Sequence, residues 1–327
     1  MKRLVSRVGA WLDEPMAVAR LEITRIFAPL AILGFMSSRL AHADEWIGDG
    51  GFRVPRLPDH TYVPPLPTSA AWLVAFAMVA AGLALSAGWK TRTSALVFAL
   101  TLVFVALSDK LAAFTVSKIG PVIVLAIASG PAGTRLGVDA WLARRRGERA
   151  APATAPLGPI RFLQGMLVAF YCGSGIAKAG GDWLLVPSAL WSHLHDSYQT
   201  GFAFVAARTL PAWAWAPMQY AVVVFEALAP LWFALRRTRR LALVYGLGMH
   251  VMIGLMFGPV VWFALLMMTL LVTGFAPERW LAPVELAASW LTGESSPRAR
   301  DAAASRRASA VACAEGERSS GGARAVT

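Results

Sequence analysis

Four ionisable residues lie inside long apolar segments of this chain, where a charge is costly. They are Arg25 in LEITRIFAPL, Lys178 in YCGSGIAKAGGDW, Glu226 in FEALAPLW and His250 in YGLGMHVMIGLMFG. A charged side chain at membrane depth costs about 3 kcal/mol on insertion scales, so such residues usually face the bundle interior or water. These four residues are therefore the first candidates for chemistry.

Lys178 is the best candidate for proton transfer. Burial of an amine disfavours its charged form, so a buried lysine can act as a base near neutral pH. Four glycines between positions 173 and 181 thin the segment and allow a ligand or another backbone to approach. Asp182 is within reach if the helix continues, and this pairing would favour the ammonium. The structural alternative is that Lys178 extends to the membrane surface.

The other three residues each have a structural interpretation beside a functional one. Arg25 extends to the lipid headgroups or pairs with a carboxylate. Glu226 either forms a structural ion pair or takes part in function. His250 is either a hydrogen-bonded core residue or an acid–base group with a near-neutral pKa.

The sequence offers little support for a metal site. His193, His195 and Asp196 lie together in WSHLHDSYQ, but side chains two residues apart point away from each other on a helix. Cys172 and Cys313 have neither metal-site nor disulfide-framework spacing. We therefore predict no metal.

The elements that must position these side chains are membrane helices. Hydrophobic residues make up 57% of the 327 residues and charged residues 15%, whereas soluble domains contain about 25% charged residues. The net charge of +12 is explained by basic loops on the cytoplasmic side of a membrane, so we expect a lipid bilayer as partner and no nucleic acid.

The apolar segments predict an all-α, polytopic membrane bundle of about eight transmembrane helices. Basic clusters at 2–7, 90–92, 144–149 and 236–240 all fall on one side if the N- and C-termini are both cytoplasmic. This pattern predicts a multi-pass protein of the cell inner membrane. The segments lie near 20–38, 69–88, 93–108, 112–130, 160–180, 212–235, 241–257 and 260–276.

The chain divides into three regions. Residues 1–19 are a basic, amphipathic segment that we place in the cytoplasm. Residues 20–288 form the transmembrane domain, with outer loops 39–68 and 181–211, the first of them rich in Pro and Gly and predicted to be irregular. Residues 289–327 are small, polar and charged, and they predict a disordered cytoplasmic tail.

Several short motifs follow one another along residues 17–276. They are Arg25, DGGFRVPR at 49–56, Gly88-x-x-x-Arg92, FYCGSGIAKAGGDW, FEALAP and the helix bearing His250. In this order they resemble the HTTM (horizontally transferred transmembrane) superfamily, which is related to vitamin K-dependent gamma-carboxylase. The lysine motif alone also resembles that of other quinone-linked families such as DoxX.

The resemblance implies that Lys178 is the base toward reduced vitamin K or another quinone, and that Trp183 anchors the end of its helix. The carboxylases carry an Asn–His pair where SDKLAAFTVSK has no histidine, and only a short tail follows the last span here. Carboxylation of a protein glutamate is therefore not expected. The candidate set is Lys178 and His250 as catalytic residues, with Arg25, Asp182, Trp183 and Glu226 binding the ligand.

Two classes of function follow from these residues. The first is a quinone-linked, carboxylase- or epoxidase-like activity, or simple binding of a lipophilic ligand, in an intramembrane cavity that opens outward. The alternative is a non-catalytic membrane partner in a peptide-maturation or toxin/immunity system, where the ionisable residues hold helices together. A transporter has less support, since the sequence contains no paired broken helices or inverted repeat.

Overall fold

The computed structural model describes residue 6 and residues 9–51, 65–108, 115–195 and 199–292. Within them the secondary structure is helical, apart from two isolated bridges and one antiparallel pair of strands, β1 (Pro15–Ala17) and β2 (Thr154–Pro156). The prediction of an all-α protein is confirmed.

Fifteen α-helices lie within the described residues. They are α1 (Ala19–Ala41), α2 (Ala43–Trp46), α3 (Thr68–Ala87), α4 (Thr91–Ser108), α5 (Thr115–Ala128), α6 (Val138–Arg145), α7 (Gly158–Ala179), α8 (Asp182–Leu185), α9 (Ala189–His193), α10 (Gly201–Thr209), α11 (Ala212–Ala227), α12 (Ala229–Ala234), α13 (Arg236–Met256), α14 (Val261–Phe275) and α15 (Ala282–Thr292).

In the described part of the chain, five helical segments are long and apolar enough to cross a membrane: α1, α3, α4, α7 and the segment Gly258–Phe275 that ends in α14. The shorter apolar helix α5, the α11–α12 pair and the arginine-led α13 occupy the other three predicted positions. These helices support a multi-pass membrane protein. The total of eight spans and the orientation remain predictions.

Helix α1 is the centre of the bundle, with 56% of its apolar stretch buried, the largest share among the five. It packs against α3, α5 and α14, while α4 packs against both α3 and α5. A second group forms around α7, which contacts α11, α12 and α14, and α13 packs on α14. Contacts of α1 with α14 and of α5 with α7 join the two groups into one core.

The predicted outer loops contain more helix than expected. In 39–68, α1 continues to Ala41 and α2 follows, while residues 52–64 lie outside the described residues. In 181–211, the chain forms α8, α9 and α10, and Thr200 caps α10 by accepting a hydrogen bond from the Ala203 N–H at 3.1 Å.

The tail boundary predicted at residue 289 falls inside a helix. Helix α15 runs to Thr292, and Ser289 is buried. Its Oγ donates a hydrogen bond to the Leu286 carbonyl at 2.9 Å. The remainder of the predicted tail, 293–327, lies outside the described residues.

Candidate functional site

One face of α7 carries a stripe of polar side chains. Tyr171, Ser174 and Lys178 are three and four residues apart, so they lie above one another along the helix. The helix starts with Pro159 in its first turn and ends at Ala179, with Gly180 as the C-cap. Lys178 is therefore in the last turn of α7, close to the outer end of the bundle predicted from the sequence.

Lys178 forms an ion pair with Glu226 of α11. Its Nζ also donates a hydrogen bond to Ser174 Oγ at 3.0 Å and lies 5.3 Å from the centre of the Trp183 ring, a cation–π contact. The lysine side chain is 23% exposed and the glutamate only 8%. A buried carboxylate is thus neutralised by an ammonium that remains reachable from one side.

Gly175 lets the two backbones that carry this pair come together. A Cβ at position 175 would lie 2.1 Å from the backbone nitrogen of Ala227, far inside a normal contact. The Cys172 thiol donates a hydrogen bond to the Ala227 carbonyl at 3.6 Å beside this contact. Of the two uses expected for the glycines, Gly175 serves the approach of another backbone.

A second polar pair lies about two helical turns before Lys178 along α7, toward the start of the helix. The Tyr171 hydroxyl and His250 Nε2 are 2.7 Å apart, and these residues are only 2% and 1% exposed. His250 Nδ1 has no hydrogen-bond partner within the described residues. The Tyr171 ring also packs on that of Phe225, the residue before Glu226, at 5.4 Å between centroids, so the two pairs are neighbours. Sequence reasoning missed Tyr171, although its position seven residues before Lys178 placed it on the same helix face.

Asp182 does not take the position expected for it. Because α7 ends at Ala179, Asp182 begins α8 and is exposed, and Glu226 is the carboxylate that pairs with Lys178. Trp183, by contrast, belongs to the site. Its ring stacks on His193 at 5.8 Å between centroids, in addition to its contact with Lys178.

Gln219 of α11 holds α8 and the start of α9 in place, a role that was not predicted from the sequence. Its side chain is fully buried. Nε2 donates to the carbonyls of Trp183 at 2.6 Å and Val186 at 2.9 Å, and Oε1 accepts from the Leu190 N–H at 2.8 Å. These three bonds fix α8 and the start of α9, and with them the tryptophan beside Lys178.

Arg25 lies in a different cluster from the other candidates. Its Nε donates to Glu22 at 2.8 Å, and its guanidinium also donates to the carbonyls of Leu85, Ser86 and Leu136. All of these partners belong to α1, α3 or the segment before α6. Of the two interpretations given from the sequence, the geometry is that of a structural pair.

A largely apolar cavity of about 540 Å³ lies between α11 and α13. Tyr245 in its wall packs on Phe225, the residue before Glu226, at 4.8 Å between centroids. The cavity therefore lies beside the ion pair, but neither Lys178 nor Glu226 is among its lining residues. The wall includes Trp215, Met218, Val222, Tyr245, Met249, Met252 and Met256.

The histidines of the outer segment pack against tryptophans. His193 stacks on Trp183, and the ring of His195 lies 4.3 Å from that of Trp191. Within the described part of the chain, no three His, Cys, Asp or Glu residues converge as metal ligands would. Asp196 lies outside the described residues.

Comparison with protein families gives one match. The model described as the HTTM domain matches residues 14–280, which include both polar pairs, the apolar cavity and the Arg25 cluster. Comparisons with curated proteins and with solved structures give no significant match.

Proposed function

Because the chain belongs to the HTTM domain family, we propose that it is an inner-membrane protein of about eight spans with cytoplasmic termini that binds a quinone-like or other lipophilic ligand. The observation that carries this proposal is the Lys178–Glu226 pair. A structural pair in a bundle core gains nothing from exposure, yet this lysine is 23% exposed beside an aromatic ring. An ammonium in this position can meet the oxygen of a bound ligand.

The neighbouring cavity supplies room for the apolar part of such a ligand. Its volume of about 540 Å³ lies within the range of small-molecule sites, roughly 300–1,000 Å³. Flexible methionines in the wall adapt to irregular apolar shapes. Tyr245 in the cavity wall packs on Phe225, the residue before Glu226, so the ring of a ligand in the cavity would lie near the ion pair.

The polar pairs can hold and move one proton. Lys178 becomes a base when its ammonium proton passes to Glu226, after which Nζ can accept the proton of a ligand hydroxyl: one O–H bond breaks and one N–H bond forms. The restored ammonium then stabilises the oxygen anion beside it. His250 and Tyr171 provide a second donor–acceptor pair next to the first. A quinone, when bound, supplies the redox chemistry.

A second candidate function rests on the same residues. The Lys178–Glu226 pair joins α7 to α11. Arg25 and Glu22 of α1 form hydrogen bonds with backbone groups of α3 and of the segment before α6. In a non-catalytic membrane partner of a peptide-maturation or toxin/immunity system, these pairs would serve only to hold the helices in place.

Bound-ligand analysis separates the two candidates. The wild-type protein, Lys178→Met and the control Lys118→Met, which removes an exposed lysine from α5, are purified in mild detergent and extracted with organic solvent. We expect mass spectrometry to find a quinone in the wild type and the control, and at least tenfold less in Lys178→Met. The three proteins are also titrated with menadione, and binding is monitored by the quenching of tryptophan fluorescence. The wild type and the control should bind menadione more tightly than Lys178→Met does.

The double variant Lys178→Met/Glu226→Leu removes the charge of both partners and tests for a purely structural role. Equal quinone content and equal quenching in all four folded proteins would overturn ligand binding at Lys178. That result would favour the helix-holding function.

A further inference from the structure

A second large cavity, of about 580 Å³, lies at the other end of the bundle from Lys178. It is bordered by the turn between α3 and α4, by the segment after α5 and by α6. Gly130 in its wall lies next to Pro159 in the first turn of α7, and Lys178 is in the last turn. The 1.5 Å rise per residue of a helix places the cavity about 30 Å from the ion pair.

Four basic side chains and two acidic ones line this cavity. Lys90 precedes α4, Arg92 is in its first turn, and Arg146 and Arg149 follow α6. All four are exposed to solvent at the cavity. The cavity therefore presents a positive surface large enough for a small anion with part of its attached group.

The two carboxylates in the wall already have hydrogen-bond or ion-pair partners within the protein. Asp139 accepts hydrogen bonds from the Lys90 N–H at 2.9 Å, and from the N–H and hydroxyl of Thr91 at 3.0 and 3.1 Å. Glu148 pairs with Arg146 at 2.6 Å. Arg92 and Arg149 have no acidic partner within the described residues, so their charge is available to an added anion.

The segment 133–136 of the wall is held by hydrogen bonds to two buried side chains of α1, so the wall is formed before any ligand binds. Glu22 accepts the backbone N–H groups of Gly133 at 3.2 Å and Arg135 at 3.1 Å, and Arg25 donates to the Leu136 carbonyl. The buried pair within α1 thus fixes the segment that closes one side of the cavity. A site held in this way loses little entropy when an anion binds.

Two exposed tryptophans are next in sequence to residues of the cavity wall, Trp89 to Lys90 and Trp141 to Ala140, which puts the opening at the level expected for lipid headgroups. Trp89 is 49% exposed and Trp141 is 44% exposed, and Arg145 lies 3.9 Å from the centre of the Trp141 ring. Tryptophan beside basic residues is typical of membrane interfaces.

Basic pockets between membrane helices on the cytoplasmic side bind anionic headgroups. We propose that this cavity binds a phosphate group, and that the group is carried by the headgroup of an anionic phospholipid.

The test uses the full-length protein in detergent and soluble short-chain lipids. Dihexanoyl phosphatidylglycerol, dihexanoyl phosphatidylcholine and inorganic phosphate are titrated by isothermal calorimetry. The variant is Arg92→Gln/Arg149→Gln. The control Arg236→Gln/Arg237→Gln removes the same charge from two exposed residues at the start of α13. Melting temperatures establish that each protein is folded.

We expect phosphatidylglycerol to bind the wild type and the control more tightly than phosphatidylcholine. In the cavity variant, its affinity should fall by about thirtyfold, since each basic residue near the surface contributes about fivefold. Inorganic phosphate that binds as tightly as the lipid, and competes with it, would uphold a phosphate site and overturn its assignment to a lipid. An equal loss in the cavity variant and the control would overturn the site itself.

Discussion

Lys178 and Glu226 form a buried ion pair between α7 and α11, and the energy of such a pair depends on both partners. The desolvation of two charges cancels much of their attraction. Removal of one partner leaves the other charge buried without compensation. Comparison of the single and the double variant therefore separates the contribution of the pair to stability from its contribution to ligand binding.

Lys178→Met should destabilise the protein by about 3 kcal/mol, because it leaves the Glu226 carboxylate buried and unpaired. The double variant Lys178→Met/Glu226→Leu should recover most of that loss. Thermal unfolding in detergent, followed by tryptophan fluorescence, measures the difference. Equal melting temperatures for the single variant and the wild type would mean that the pair contributes nothing to the fold.

Tyr171→Phe removes the hydroxyl that contacts His250 Nε2 at 2.7 Å. Since the histidine is buried and Nδ1 has no partner within the described residues, we expect a loss of about 2 kcal/mol. Tyr220→Phe is the matched control, because Tyr220 makes no hydrogen bond through its hydroxyl within the described residues. Similar losses in the two variants would argue against a specific Tyr171–His250 interaction.

At the scale of helices, the contact between α7 and α11 decides whether the polar side chains can meet. Gly175 lies against Ala227, and a methyl group there has no room. Gly175→Ala should therefore force the helices apart, cost about 2 kcal/mol and lower ligand content together with stability. Melting temperature and quinone content are measured on the same preparations.

Gly173 provides the control for this contact. It lies on the same helix, and a Cβ there would meet nothing within 4 Å. Gly173→Ala should be neutral or stabilising by up to about 1 kcal/mol, since alanine favours a helix more than glycine. A larger loss for Gly173→Ala than for Gly175→Ala would contradict the proposed packing.

Arg25 acts on a second element, the segment between α5 and α6. Its guanidinium serves Glu22 and three backbone carbonyls at once, which one ammonium cannot do because it lacks the planar fork of donors. Arg25→Lys should therefore destabilise the protein by about 3 kcal/mol, whereas Arg237→Lys, at an exposed position, should have little effect. If Arg25→Lys kept the wild-type stability but bound less ligand, Arg25 would be part of the ligand site.

At the scale of the whole molecule, the prediction concerns orientation. The basic clusters predict that both termini are in the cytoplasm and that the segment 181–211 is outside. In a Cys172→Ala background, a membrane-impermeant maleimide should label Leu185→Cys in intact cells, since this side chain is 80% exposed. Cys313 should react only after the cells are opened. Labelling of Cys313 in intact cells would contradict a cytoplasmic C-terminus.

The sequence by itself determined that the protein belongs in a membrane, that it is helical, where the five long apolar helices lie, and which polar residues are costly to bury. Composition and apolar run length decide these properties locally, so no knowledge of neighbours is needed. The helices in 181–211 were missed, because their order depends on partners distant in the sequence: Gln219 of α11 holds α8 and the start of α9 through three hydrogen bonds.

Only the tertiary structure decided which residues meet. Lys178 pairs with Glu226 rather than the nearer Asp182 because α7 ends before Asp182, and because Gly175 lets α11 approach. Arg25 was expected at the ligand site, but its partners belong to α1, α3 and the segment before α6. Partners separated by dozens of residues are set by helix packing, which depends on contacts across the whole bundle and not on the spacing within any one segment.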